Sequence, residues 1–187
     1  NVPRHLAAEL AVHRSVPWAD ALTATAQVAE SLGEAHRRGI VHGDIKRENI
    51  HLVEMPSGFV ARLIDFDDAY RADAPPAPTV LGGTEDYYSP EVLVYKGFAT
   101  TTRSLPLGLA SDLFSLSLAV HEVFSTNARK PRWNGSEPTD AGLHALAGDE
   151  VVYDDLGTGR HVRHDLVAVR AVHALDLGLQ HAGRLVE

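Results

Sequence analysis

The sequence predicts a mainly α-helical fold with a small β-hairpin region. Apolar residues, Leu22, Val28 and Leu32 among them, recur at helical spacing over residues 18–38. Residues 111–124 are apolar on almost every side, which is typical of a buried helix. Short runs rich in β-branched residues lie between these two segments. Together these observations favour a helical core that carries one small sheet.

Local sequence signals place the elements in chain order. A short helix over residues 6–13 is expected to end before Pro17, and Gly39 is a suitable C-cap for the long helix. Residues 56–58 form the turn of a hairpin. Residues 65–90, rich in Asp, Pro and Gly, are expected to form one long loop, and loops of that length are usually functional. The predicted strands are residues 40–41, 50–53 and 60–64, and a last helix is predicted over residues 163–177.

Composition favours one domain and excludes several classes of function. The 187 residues suffice for a single core. A formal net charge of −8, without a long run of like charges, argues against a nucleic-acid partner. No stretch reaches the roughly 18 apolar residues of a membrane span, and the N-terminus lacks a signal-peptide core. Cysteine is absent, which excludes disulfides and thiolate chemistry. We therefore expect a cytoplasmic protein with no membrane segment in this chain.

Residues 42–49, His-Gly-Asp-Ile-Lys-Arg-Glu-Asn, resemble the catalytic loop of protein kinases, His-Arg-Asp-Leu-Lys-x-x-Asn, with glycine in place of arginine. Phosphoryl transfer needs a carboxylate that orients the attacking hydroxyl, and a second oxygen ligand that holds Mg²⁺ against the phosphates. Asp44 fits the first role and Asn49 the second. Lys46 can neutralise charge that develops on the transferred phosphoryl group. The resemblance gives His42 a structural role.

A second block, Ile-Asp-Phe-Asp at residues 64–67, resembles the kinase Asp-Phe-Gly motif and departs from it at Asp67. A carboxylate that follows a short strand beside Asn49 would complete a Mg²⁺ site of few protein oxygens. Asp65 is therefore the predicted second metal ligand, and Phe66 is a structural residue. His51 stands where the family places an aliphatic residue under the adenine, so it is predicted to contact the nucleotide.

Residues 83–91 resemble the end of a kinase activation segment, Gly-Thr-x-x-Tyr-x-Ala-Pro-Glu. The resemblance implies that Thr84 contacts the catalytic aspartate and lysine, and that Glu91 locks the segment to the helical lobe. Arg160, Arg163 and Arg170 are all candidate partners of Glu91. Asp112 begins a segment that resembles the central helix of the family, where an aspartate fastens the catalytic loop. A buried carboxylate is costly unless it accepts hydrogen bonds, so Asp112 needs such partners.

The four blocks occur in the family's order, so the chain is identified as a member of the eukaryotic-like serine/threonine protein kinase family. The resemblance implies a C-terminal kinase lobe over residues 1–187, with a catalytic loop at 42–49, an activation segment at 65–91 and a central helix at about 111–124. It also implies ATP and Mg²⁺ as cofactors and a serine or threonine of a protein as substrate.

The sequence departs from the family in lacking the glycine-rich loop and the lysine strand of the small N-terminal lobe. We expect this lobe to be supplied in cis or in trans, and the chain alone to be inactive. A start at Asn1 is expected of a processed product or a piece of a longer reading frame. Gly43 removes the arginine that commonly pairs with a phosphorylated activation loop. The surface around Ile50, Leu52 and Phe66 is expected to be exposed without the small lobe.

Two other functions fit parts of the sequence. His-Gly-Asp and Ile-Asp-Phe-Asp-Asp also resemble small-molecule phosphotransferases of the aminoglycoside or choline kinase type. Those enzymes generally lack the equivalents of residues 83–91 and 112–115, which favours a protein kinase. A pseudokinase or scaffold lobe is the third hypothesis, because fold does not imply activity. Asp44, Lys46, Asn49, Asp65 and Thr84 argue against it, and the missing lobe argues for it.

Overall fold

The structure is a computed structural model that describes residues 4–5, 18–56, 58–102, 104–124, 132–133 and 151–152. Helix α1, Trp18–Arg37, confirms the predicted long helix. Its buried stripe contains Val28 and Leu32. The chain leaves the helix through Gly39, whose φ of 70° lies in the left-handed region that glycine adopts without strain. The predicted helices at residues 6–13 and 163–177 lie outside the described residues.

The predicted hairpin is present as an antiparallel pair of strands that packs against α1. Strands β3, Ile50–Met55, and β4, Gly58–Leu63, pair along their whole length. The side-chain oxygen of Gln27 on α1 accepts a hydrogen bond of 2.6 Å from the backbone N–H of Ala61. A further strand, β1, Arg4–His5, pairs with the other edge of β3. This strand was not predicted, because two residues show no periodicity.

The segment predicted to be one long loop contains short elements. Residues Ile40–Val41, strand β2, pair antiparallel with β5, Tyr70–Arg71, inside that segment. A 3-10 turn covers Glu85–Tyr87. Helix α2, Pro90–Tyr95, follows directly, with Ser89 as its N-cap and proline in its first turn. The loop prediction was therefore wrong at these positions, where pairing with distant residues or a single cap decides the structure.

The core lies between α1, the hairpin and helix α3, Ala110–Phe124. Helix α3 confirms the predicted buried helix. Leu32, Ile45 and Leu116 are almost completely buried in it. Ile50 is only 3% exposed, so its predicted place on an open apolar surface was wrong. Its side chain belongs to the core because β3 packs on the helices. Phe66 is 46% exposed, as expected.

Two more strands lie late in the chain. Strands β6, Arg132–Trp133, and β7, Val151–Val152, form an antiparallel pair. Within the described residues, no helix has both the length and the apolar character needed to cross a membrane.

Candidate active site

The catalytic-loop candidate is fastened to α3 through Asp112. This carboxylate lies in the first turn of α3 and is only 1% exposed. It accepts hydrogen bonds from the backbone N–H groups of His42, at 2.8 Å, and Gly43, at 3.0 Å. A ring nitrogen of His36, at the end of α1, lies 2.9 Å from the same carboxylate. These contacts offset the desolvation of a buried charge and fix where the loop begins.

His42 connects this loop to the segment that carries Asp65. Its side chain is fully buried, and its Nε2 lies 3.0 Å from the carbonyl oxygen of Ile64. Its Nδ1 accepts a hydrogen bond of 3.3 Å from the N–H of Asp44, and its ring packs on Phe66 with 4.4 Å between centroids. The imidazole therefore sets the spacing between Asp44 and the residues around Asp65.

Four of the predicted site residues meet around the Asp44 carboxylate. Lys46 Nζ donates to Asp44 Oδ2 at 2.6 Å and to Thr84 Oγ1 at 2.8 Å. The Thr84 hydroxyl in turn donates to Asp44 Oδ1 at 2.7 Å, across 40 residues of sequence. The Asn49 amide nitrogen lies 3.1 Å from Asp44 Oδ2 and 2.8 Å from the Asp44 carbonyl oxygen. Both carboxylate oxygens are thus held in fixed directions.

These contacts also set the charge of Asp44. Burial by itself would raise the pKa of this carboxyl, because desolvation disfavours the charged form. Hydrogen bonds from Lys46, Thr84 and Asn49, together with the positive charge of Lys46, outweigh burial, so the pKa lies below its ordinary value. Asp44 is therefore ionised at neutral pH and can act as a hydrogen-bond acceptor and a base.

The two predicted metal ligands are brought together by the backbone. The N–H of Ile64, immediately before Asp65, donates to the carbonyl oxygen of Asn49 at 2.9 Å. Asp65 has a φ of 65° and an exposed side chain. The Asn49 amide presents its nitrogen, and not its oxygen, to Asp44. One amide oxygen and one carboxylate fit Mg²⁺, which takes its other ligands from phosphates and water.

No group of three or more His, Cys, Asp or Glu residues in the described ranges could hold a metal ion by itself.

Two buried residues near the cluster were not predicted as site residues. The Tyr87 hydroxyl donates to Glu122 Oε2 at 2.7 Å, and Ser115 Oγ donates to the Tyr87 carbonyl oxygen at 2.8 Å. Arg47 Nε lies 3.7 Å from the same Glu122 oxygen. These contacts join the end of the activation segment to α3. A glutamate within a largely apolar helix was the available sequence signal, because a buried charge requires partners.

Two further candidates lie apart from the Asp44 cluster. His51 is half-buried on β3, opposite His5 and Arg62. Glu91 lies in the first turn of α2, where burial raises the pKa of its carboxyl. The ion pairs found in the described part of the chain do not include Glu91, and its candidate partners Arg160, Arg163 and Arg170 lie outside that part.

Comparison with known proteins agrees with this geometry. A family model described as "Protein kinase domain" matches residues 3–154. The chain is 36% identical over 115 residues to serine/threonine-protein kinase pkn2 of Myxococcus xanthus. The aligned region covers 59% of this chain and 13% of that protein. It is 34% identical over 113 residues to serine/threonine-protein kinase PkaB of Streptomyces coelicolor, covering 56% of this chain and 25% of that protein.

A similar match is found in an animal kinase. The chain is 33% identical over 99 residues to myosin light chain kinase, smooth muscle, of Gallus gallus, covering 53% of this chain and 5% of that protein. The matched regions are thus a quarter or less of each of these relatives. Because the family model covers most of the chain and includes all four motif blocks, the chain is a member of the serine/threonine protein kinase family.

Proposed function

We propose that the chain is the C-terminal catalytic lobe of a protein kinase, which transfers the γ-phosphoryl group of ATP to a serine or threonine of a protein substrate. The observation that carries this proposal is the hydrogen-bonded cluster of Asp44, Lys46 and Thr84. An ionised carboxylate with a lysine and a hydroxyl fixed on its two oxygens is suited to positioning an attacking hydroxyl beside a phosphate.

In this proposal Asp44 accepts a hydrogen bond from the substrate hydroxyl and takes its proton as the hydroxyl oxygen bonds to the γ-phosphorus. The bond from that phosphorus to the bridging oxygen breaks, and ADP leaves. Lys46 neutralises negative charge on the transferred group, which its ammonium can do while it remains bonded to Asp44. Thr84 holds the Asp44 carboxylate in one orientation. Positioning and electrostatic stabilisation are nearly all that phosphoryl transfer receives from a protein.

Asn49 and Asp65 would hold Mg²⁺, and His51 would lie under the adenine of ATP. When bound, the ion neutralises charge on the phosphates. The chain's own contribution would be to present one amide oxygen and one carboxylate, and the bond between the Ile64 N–H and the Asn49 carbonyl, which joins the two segments, supports this role.

The small lobe that covers the nucleotide is proposed to come from a separate part of the protein or from a second polypeptide. The exposure of Phe66, whose ring packs on His42 with its other side open, supports a cover at this place. Phe66 is a large apolar residue beside the proposed nucleotide site, so we expect a second apolar surface to pack on its ring. A cytoplasmic location stays a prediction from composition.

Replacement of Asp44 in the full-length protein tests the proposal. Asp44→Ala should lower the rate of protein phosphorylation about 10²–10⁴-fold, because the general base is lost. Asp73→Ala is the matched control, since Asp73 is an exposed carboxylate on the same segment, whose ion pair within the described residues is with Arg71. Activity of Asp44→Ala within about threefold of wild type would contradict the proposal.

Phosphoamino-acid analysis of the product separates the alternatives. Phosphoserine or phosphothreonine is expected with a generic protein substrate. Phosphate on an aminoglycoside or choline, with none on protein, would support the small-molecule phosphotransferase. ATP binding without transfer to any acceptor would support the pseudokinase.

A further inference from the structure

Asp68 connects the beginning of the activation segment to its end. It lies three residues after Asp65, yet its Oδ2 accepts a hydrogen bond of 3.0 Å from the backbone N–H of Gly83. The two residues are 15 positions apart in the sequence. In the family motif that the sequence resembles, the roles go to Asp65 and Phe66, and none is assigned to Asp68. Its contact is therefore a feature of this chain that the proposed chemistry leaves unexplained.

Two glycines make room for Asp68, and a third lets the catalytic loop approach the same segment. A Cβ on Gly82 would lie 1.9 Å from Asp68 Oδ1, and a Cβ on Gly43 would lie 2.6 Å from the Asp68 carbonyl oxygen. A Cβ on Gly83 would lie 2.6 Å from the Gly43 carbonyl oxygen. Gly43 and Gly83 also have positive φ values of 82° and 100°. Gly43 thus packs backbone to backbone against Asp68 and Gly83, whereas Gly82 faces the Asp68 carboxylate, and a Cβ at any of the three would displace a neighbour.

The residue after Gly83 is Thr84, which belongs to the Asp44 cluster. The Thr84 hydroxyl donates to Asp44 Oδ1 and accepts from Lys46. A fixed N–H at Gly83 restricts the position from which the Thr84 side chain reaches Asp44. Tyr88 assists from the other side, because its hydroxyl lies 3.2 Å from the Gly82 carbonyl oxygen and 3.3 Å from that of Gly83.

We propose that Asp68 is a positioning residue, which holds the Gly83 amide so that Thr84 can orient the Asp44 carboxylate for phosphoryl transfer. The inference rests on the proposed function. The hydrogen bond that the proposal uses joins Asp68 to the Gly83 amide. Both groups belong to this chain, so the bond forms without a ligand or a metal ion. The three glycines leave the space that this close approach needs.

A double-mutant cycle in the full-length protein tests whether Asp68 acts through Thr84. Asp68→Ala should lower kcat for protein phosphorylation about 10–100-fold, because small displacements at a reacting centre are costly. The KM for ATP should stay within about twofold, since Asp68 bonds to the Gly83 amide, which is not one of the groups proposed to hold the nucleotide or its metal ion. Asp68→Asn keeps an acceptor oxygen and should recover most of the loss. In a Thr84→Ala background, Asp68→Ala should add less than about twofold, because residues that act as a unit are not additive.

Asp73→Ala is again the control for loss of a carboxylate from the same segment. Equal losses from Asp68→Ala with and without Thr84, or kcat unchanged in Asp68→Ala, would overturn the proposal. So would failure of Asp68→Asn to recover activity. Thermal unfolding of each variant distinguishes a loss of folded protein from a loss of kcat.

Hydrogen exchange at the Gly83 amide provides a measurement that is independent of activity. Exchange should accelerate in Asp68→Ala and stay unchanged in Asp73→Ala, and unchanged exchange in Asp68→Ala would overturn the proposal. If Asp44→Ala were harmless, the proposed function would fail, while Gly83 exchange would still decide whether Asp68 fixes the segment.

Discussion

At the residue scale, the charge of Asp44 depends on a few neighbours whose effects oppose one another. Burial raises the pKa of its carboxyl, whereas Lys46, Thr84 and Asn49 lower it, and the lowering prevails. A carboxyl with a depressed folded-state pKa stabilises the fold above its unfolded pKa of about 3.9, and loses that contribution as the pH falls through the folded value. Asp44 is consequently charged throughout the neutral range.

Replacement of Lys46 tests this balance. Lys46→Met removes both a hydrogen bond and a positive charge, while burial of Asp44 persists, so the pKa of Asp44 should rise. A carboxyl ¹³C titration by NMR measures it directly. Replacement of the half-buried Lys96, whose ammonium donates to the carbonyl oxygens of Pro78 and Leu81 rather than to Asp44, is the control for loss of a lysine. A fall in the pKa of Asp44 in Lys46→Met would contradict the assignment.

The two proposed metal ligands should contribute unequally. A charged carboxylate attracts Mg²⁺ more strongly than a neutral amide, so Asp65→Asn should raise the Mg²⁺ concentration needed for half-maximal activity more than Asn49→Ala does. Both variants are compared by Mg²⁺ titration at constant ATP in the full-length protein. The same titration curve for Asp65→Asn and wild type would show that Asp65 is not a ligand.

At the scale of elements, two contributions to stability can be measured separately. One is close packing between the catalytic loop and the activation segment, and the other is backbone strain. Gly43 and Gly97 both have positive φ, at 82° and 78°. A Cβ on Gly97 meets nothing within 4 Å, whereas one on Gly43 meets the Asp68 carbonyl oxygen at 2.6 Å. The two positions therefore form a matched pair.

Alanine at these two positions should have different costs. Gly97→Ala should lower the free energy of unfolding by about 1–2 kcal/mol, the cost of a left-handed backbone for a residue with a Cβ. Gly43→Ala should cost about 1–3 kcal/mol more, because a backbone carbonyl must shift to make room. Chemical denaturation of both variants measures the difference. Equal losses would mean that the loop and the segment separate easily.

The elements also show how far sequence patterns reach. Helices α1 and α3 and the β3–β4 hairpin were predicted because each contains its own periodicity or turn. Strands β1 and β5 have two residues each and exist only through pairing with distant strands. Helix α2 has six residues and depends on the cap at Ser89. No local window contains the pairing of these strands, whereas Ser89 and Pro90 are a local start signal for α2 that is too short to show a helical period.

At the scale of the whole molecule, the chain should fold alone but have little activity. The core between α1, the hairpin and α3 belongs to this chain, so its stability need not depend on a small lobe. A nucleotide held on one side lacks donors that orient its phosphates, so weak ATP·Mg binding and negligible turnover are expected. Calorimetry and a radiolabelled phosphate assay measure both. Micromolar affinity together with ordinary kinase turnover would show that this lobe is self-sufficient.

The sequence by itself determined the chemical groups of the candidate site and their local spacing. Asp44, Lys46 and Asn49 lie within one loop, so their order along the chain already specifies a base, a cation and an amide in reach of one another. The resemblance to the family motif also implied that Thr84 joins them, and it reaches Asp44 across 40 residues. Tertiary structure alone decided that Asp68 reaches Gly83 across 15 residues and that the Tyr87 hydroxyl donates to Glu122. These contacts depend on packing between separate segments, which fixes positions that no periodicity or spacing along the chain encodes.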